Sequence, residues 1–188
     1  MTIIYYLPGH GGQLKTGLGL ELMNRGFNIA GRETRDDFVK LPFQEQIDLV
    51  TEDLKDHFWN KDSMVIANSF GAYLFLHAQT QLPPFIGNVL LLSPIVGSFT
   101  REDDGFNFLP PRPTKLSELV NLGKMPIPEN CEIHVGEHDW QSVPANVIKF
   151  ADPLGIPVSV VPGESHMIDK EYVQGVLDRW LSTKGVNT

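Results

Sequence analysis

Six short apolar runs, near residues 2–7, 27–30, 63–67, 88–93, 132–136 and 157–161, carry hydrophobic side chains on both faces and alternate with segments of helical periodicity. Strands buried on both faces need helices above and below them. The alternation therefore predicts an α/β chain, with a mostly parallel central sheet of about six strands and helices on both faces. Phe43, Ile47, Val50, Leu54 and Phe58 recur at helical spacing after Pro42, as do Tyr172, Val173, Val176, Leu177, Trp180 and Leu181 near the C-terminus. A length of 188 residues suits one domain spanning 1–188, and no repeat, linker or low-complexity segment divides it.

Charge and composition narrow the partners. With 15 basic and 23 acidic residues the formal charge is −8, and no stripe of Lys or Arg interrupts the acidic balance. Nucleic acid and anionic membrane are therefore not expected as partners. The run Ile3 to Leu7 has no basic flank and is too short for a signal-peptide core, and no run reaches transmembrane length, so a cytoplasmic location is expected. The single cysteine, Cys131, excludes an internal disulfide and reads as a small hydrophobe entering a strand.

The segment Val65-Ile66-Ala67-Asn68-Ser69-Phe70-Gly71-Ala72 breaks a strand at a small-x-Ser-x-Gly turn and continues as a helix. Small residues two before and two after the serine permit so sharp a reversal, and here they are Ala67 and Gly71. Such a turn exposes the Ser69 hydroxyl at a helix N-terminus and leaves the N–H of Phe70 free to meet an oxyanion. Downstream, Glu132 to Asp139 reads as a strand running into a loop with a carboxylate. Pro157 to Val161 then leads into Pro162-Gly163-Glu164-Ser165-His166, a loop with a histidine ahead of the last helix. Ser69, Asp139 and His166 thus each follow the C-terminal end of a strand.

This order, with Gly-x-x-Asp after the penultimate strand and Pro-Gly-x-x-His before the last helix, resembles the α/β-hydrolase fold superfamily. The resemblance covers nearly the whole chain in reduced form: two initial antiparallel strands common in larger relatives are missing, and no separate cap domain fits. It implies a small esterase- or lipase-like serine hydrolase that cleaves a carboxylic ester, thioester or amide. Ser69 would be the nucleophile, His166 the base and Asp139 the orienting acid. It also implies a second oxyanion donor from the loop after the first strand, where Pro8-Gly9 stands at the family's usual His-Gly pair. That donor is the N–H of His10, or of Gly11 if the alignment shifts by one residue. The expected partner is a small acyl substrate; no cofactor or metal is implied, and the oligomeric state is open.

Other readings compete at particular residues. Gly9 to Thr16 differs from a phosphate-binding G-x-x-x-x-G-K-T loop only by Leu14 in place of the second glycine, so a nucleotide binder is a remote alternative. Gly17-Leu18-Gly19 lacks a third glycine and lies in a helical pattern of Leu14, Leu18 and Leu22. A binding protein that keeps the fold without turnover is the alternative of a different class. Ser93 also ends a strand, but Pro94 follows it and supplies no N–H. Asp103 and Asp104 are the reserve acids, His138 reads as a solvated loop residue, and His57, His77 and His134 read as packing or surface groups. The connection 94–128 is long enough to act as a short cap, with Phe106 and Phe108 as candidate pocket residues and a short helix expected near Thr114.

Overall fold

The computed structural model describes residues 3–101 and 105–183. Six strands form one sheet: β1 (Ile3–Leu7), β2 (Asn28–Gly31), β3 (Met64–Asn68), β4 (Asn88–Leu92), β7 (Asn130–Gly136) and β8 (Val158–Val161). Their spatial order is β2-β1-β3-β4-β7-β8, and every adjacent pair is parallel. The helices are α1 (Gly17–Asn24), α2 (Asp36–Lys40), α3 (Phe43–His57), α4 (Phe70–Gln79), α5 (Lys115–Asn121), α6 (Pro144–Ala151) and α7 (Lys170–Thr183). The expected six-stranded parallel α/β architecture is present.

Side chains alternate across the sheet and divide the core in two. Tyr5, Leu7, Val65, Ala67, Val89, Leu91, Ile133 and Val135 pack with α3, α4, α5 and α6 on one face. Ile4, Tyr6, Met64, Ile66, Leu90 and Leu92 pack with Leu22 of α1 and with Val176, Leu177, Trp180 and Leu181 of α7 on the other. Ile47, Val50 and Leu54 on α3 are fully buried, and each aliphatic side chain removed from water in this way stabilises the fold by about 1.5–3 kcal/mol.

Several local expectations are corrected. Burial on both faces holds for the central strands but not for the edges, where Ser159 and Val160 of β8, the last strand of the sheet, are exposed. Leu14 precedes α1, which begins only at Gly17. The short helix α2, the helix α6 and a 3-10 turn at Asp152–Leu154 were not anticipated. Within 94–128, strands β5 (Phe99–Arg101) and β6 (Phe106–Phe108) form an antiparallel hairpin that the prolines and polar residues of that stretch had disguised. Asp103 and Asp104 lie outside the described residues. Among the described residues, no helix is long and apolar enough to cross a membrane.

The strand order sets where a ligand can enter. From β1 the chain turns first to β2 and then returns to β3 on the opposite side, so the loops leaving β1 and β3 diverge at their carboxyl ends. In open parallel sheets that divergence creates the binding crevice. Pro8 to Thr16 leaves one side of it, and Ser69 leaves the other.

His77 on α4 supplies a pH-dependent contribution to stability. It is 1% exposed and lies edge-on to Tyr73 and Phe43, with ring centroids 4.4 and 5.2 Å away. Burial, reinforced by Arg112 and Lys115, lowers its pKa to about 4. Above the ordinary histidine value of about 6.5 the ring is neutral both folded and unfolded and adds no pH dependence. Between that value and about 4, only the unfolded chain takes up the proton, so stability falls as pH falls, by about 2–3 kcal/mol for this group. Denaturant unfolding at neutral pH and near pH 4.5 should therefore show a smaller acid loss in His77→Leu than in the parent. Equal losses would contradict this assignment.

Candidate active site

The turn at Ser69 is as sharp as its sequence requires. Ser69 has φ 52° and ψ −120°, a conformation that favours glycine and costs another residue about 1–3 kcal/mol. Its N–H donates to the Leu92 carbonyl at 3.0 Å, while its own carbonyl accepts the N–H of Tyr73 at 3.2 Å and so starts α4. Gly71 is required by close approach: a Cβ there would stand 2.2 Å from the Leu7 carbonyl oxygen and 2.4 Å from that of Pro8. The start of α4 thus lies directly against the end of β1.

Ser69, His166 and Asp139 form one hydrogen-bonded chain. His166 Nε2 is 2.8 Å from Ser69 Oγ, and its Nδ1 is 2.9 Å from each carboxylate oxygen of Asp139. Asp139 is 2% exposed, and its Oδ1 also accepts the backbone N–H groups of Gln141 and Ser142 at 2.9 and 2.8 Å. An ionised carboxylate only accepts, so Nδ1 carries the proton and Nε2 is left to accept from the serine hydroxyl. Ser93 does not compete with Ser69, because its hydroxyl is buried and has no partner among the described residues. His138 is solvated, with 68% of its side chain exposed.

Backbone contacts join the two loops that carry Asp139 and His166. A Cβ at Gly136 would stand 2.2 Å from the Ser165 carbonyl oxygen, so only glycine lets the end of β7 meet the histidine loop. The His138 N–H donates to the Glu164 carbonyl at 2.7 Å, and the Glu137 carboxylate accepts the Gly163 N–H at 2.8 Å. Glu164 accepts the Asp169 N–H, and Asp169 in turn accepts the N–H groups of Glu171 and Tyr172, which caps α7. Sequence reasoning did not single out Glu137, Glu164 or Asp169.

Thr34 organises the loop after β1, and it too escaped the sequence. It is fully buried. Its carbonyl accepts the Gly11 N–H at 2.7 Å, its hydroxyl accepts the Gly12 N–H at 3.2 Å and donates to the Pro8 and Gly9 carbonyls, and its N–H donates to Gly12. Gly11 is thereby committed, whereas the N–H groups of His10 and Phe70 have no acceptor among the described residues. Of the two alignments, only the one using His10 leaves a free donor. The same bonds remove the phosphate-loop reading. Gly11, Gly12 and Leu14 spend their N–H groups on Thr34 and on the Glu33 carboxylate, whose charge would repel a phosphate.

The connection 94–128 is fastened beside this centre. Ile95 donates its N–H to the Ser69 carbonyl at 3.3 Å, and the Tyr73 hydroxyl lies 2.8 and 3.1 Å from the Pro111 and Arg112 carbonyls. Phe99 stacks on Phe108 at 4.7 Å and meets Trp140 edge-on at 5.5 Å; Phe106 meets Trp140 at 6.3 Å. Trp140 directly follows Asp139, so the hairpin leans on the acid's loop. Phe108 is partly buried in this stack, while Phe106 stays 46% exposed. Of the two candidate pocket rings, Phe106 is the more exposed. The expected helix appears as α5, with Thr114 at its N-cap.

No protein-family model matches the chain, and a search of curated proteins finds no match. Solved structures do match. Alpha/beta hydrolase domain-containing protein 10 from mouse superposes with a TM-score of 0.67 at 14% identity, over 96% of this chain and 90% of that one. The ydeN gene product of B. subtilis gives 0.65 at 11% identity, over 97% and 100% of the two chains. A structure from work on carboxylesterases of the thaumarchaeon Nitrososphaera gargenis gives 0.65 at 12% identity, over 98% and 91%. Identity this low carries no residue roles, but superposition over almost the entire length identifies the architecture: the chain has the α/β-hydrolase fold, in a small form built on six parallel strands.

Proposed function

We propose that this protein is a serine hydrolase that cleaves a small or medium carboxylic ester, thioester or amide through an acyl-enzyme intermediate. The observation that carries the reading is the continuous relay from Ser69 Oγ through His166 to the buried Asp139, at 2.8 and 2.9 Å. Its position supports the same reading, because a strained, only partly buried serine at the crevice of an open sheet is placed to meet a ligand. The neighbours named as hydrolases and carboxylesterases agree with it.

In this mechanism Ser69 Oγ attacks the acyl carbon as its proton passes to His166 Nε2, and Asp139 stabilises the imidazolium. The carbonyl electron pair moves onto oxygen, where the N–H groups of Phe70 and His10 receive it. Collapse re-forms the carbonyl and breaks the bond to the leaving group, which takes the proton from His166. Water then repeats the sequence against the acyl-Ser69 ester, releasing the carboxylic acid and restoring the serine. The chain and water suffice for every step.

A series of p-nitrophenyl esters of increasing acyl length tests this directly. The protein should release nitrophenol with an initial burst where acylation outpaces deacylation; no turnover of any ester, thioester or amide would overturn the proposal. Phe106→Ala should change the preferred chain length, because Phe106 presents its exposed ring above Trp140. Equal loss at every length together with a lower melting temperature would make Phe106 a packing residue instead.

A further inference from the structure

Asn68, immediately before Ser69, presents an amide that the relay does not use. Residues 64, 66 and 68 of β3 point to the sheet face that carries Tyr6, and the Tyr6 hydroxyl lies 3.0 Å from Asn68 Oδ1. Tyr6 is only 3% exposed, and burial pushes its phenol pKa up, so it remains a protonated donor. Among the described residues this is the one hydrogen bond of its hydroxyl. If the amide were flipped, Nδ2 would donate to Tyr6 and the phenol proton would be buried without an acceptor, at a cost of about 1–3 kcal/mol. The orientation is therefore set: Oδ1 faces Tyr6 and the NH2 group faces away.

It faces the candidate active site. An atom at the Cβ position that Gly9 lacks would stand 3.3 Å from Asn68 Nδ2, 3.2 Å from Ser69 Cβ and 3.6 Å from Ser69 Oγ. The space beside Gly9, next in the chain to the His10 N–H, is thus within hydrogen-bonding reach of the amide and adjacent to the reacting hydroxyl. Nδ2 has no acceptor among the described residues, and Asn68 is only partly buried, so the donor is open to a ligand.

We infer that Asn68 Nδ2 is a third donor to the acyl oxygen, supplementing the N–H groups of His10 and Phe70 as negative charge develops on the attacked carbonyl. This rests on the hydrolase reading above. A neutral amide suits the task because it stabilises the oxyanion without binding an uncharged carbonyl much more tightly beforehand. The ligand class it selects is a planar carbonyl compound that becomes tetrahedral at Ser69. Tyr6 acts as a positioning residue behind it.

Asn68→Asp is the discriminating variant, since it keeps the shape and an acceptor for Tyr6 but removes the donor and adds a like charge. With a p-nitrophenyl ester, kcat should fall about 10²–10³-fold while KM changes little and the melting temperature holds. Asn68→Ala should show the same kcat loss, and Tyr6→Phe a smaller one, because the amide is then free to rotate. Unchanged kcat in Asn68→Asp would overturn the inference, as would a loss confined to KM, which would make the amide a ground-state contact. If the parent protein itself failed to turn over substrate, or Ser69→Ala retained activity, the hydrolase reading would fall and this inference with it. Normal parent turnover with an unaffected Asn68→Asp would remove this inference alone.

Discussion

Ser69→Ala should lower ester turnover by about 10⁶-fold, to a residue set by binding and the oxyanion donors alone. The size follows from the relay: without Oγ there is no atom to form the acyl bond, and His166 Nε2 loses its only hydrogen-bond partner among the described residues. Stability should hardly move, because the substitution removes one small hydroxyl whose one side-chain hydrogen bond among the described residues is only partly buried. Ser69→Gly should be equally inactive yet more stable than the alanine variant by about 1 kcal/mol, since only glycine adopts φ 52° and ψ −120° without strain. Paired turnover and thermal melts on the two variants check both halves. An alanine variant with parental turnover would remove Ser69 from the mechanism, and a glycine variant less stable than alanine would show that the turn is not strained.

Asp139→Asn should reduce kcat by about 10⁴-fold, as loss of the acid does in the Ser-His-Asp precedent. The carboxylate accepts from His166 Nδ1 and from two backbone N–H groups at once. An asparagine has one acceptor oxygen for these three donors, and its NH2 group, turned to the ring, would favour the tautomer with the proton on Nε2, the wrong nitrogen for accepting from Ser69. The loss should therefore appear in kcat, with Ser69 still present and the fold retained. Asp103→Asn and Asp104→Asn should be close to neutral. Greater sensitivity at either would place the acid after β4 and separate Asp139 from the chemistry.

The parts of the molecule legible in the sequence are those whose causes are local. The central strands β1, β3 and β4 are nearly continuous apolar runs because both faces are covered, and α3 shows its buried stripe at Ile47, Val50 and Leu54 without help from the rest of the chain. The reversal at Ser69 is equally local, since the need for Ala67 and Gly71 is steric. Order along the chain then placed Asp139 and His166 at strand ends, and the fold brings both to Ser69.

What the sequence hid depends on contacts between distant segments. Thr34 is an unremarked threonine until β2 pairs beside β1 and carries it under the Pro8–Gly12 loop. The orientation of Asn68 depends on Tyr6, its neighbour across the parallel pairing of β1 and β3. Trp140 becomes part of the candidate pocket only through the hairpin, whose two short strands are too brief to show a period of their own. Helix α6 buries Val147, Phe150 and Ala151, but with eight residues and a proline at its first position it is too short to show a clear period in the sequence.

The central claim is that Ser69 is a nucleophile activated by His166, and covalent capture tests it most directly. The folded protein would be treated with a fluorophosphonate, weighed intact by mass spectrometry and digested to map the modified peptide. The account predicts one adduct per chain, on Ser69, absent from Ser69→Ala and strongly slowed in a variant lacking the His166 imidazole. An adduct on another residue, or none on a folded protein, would contradict it.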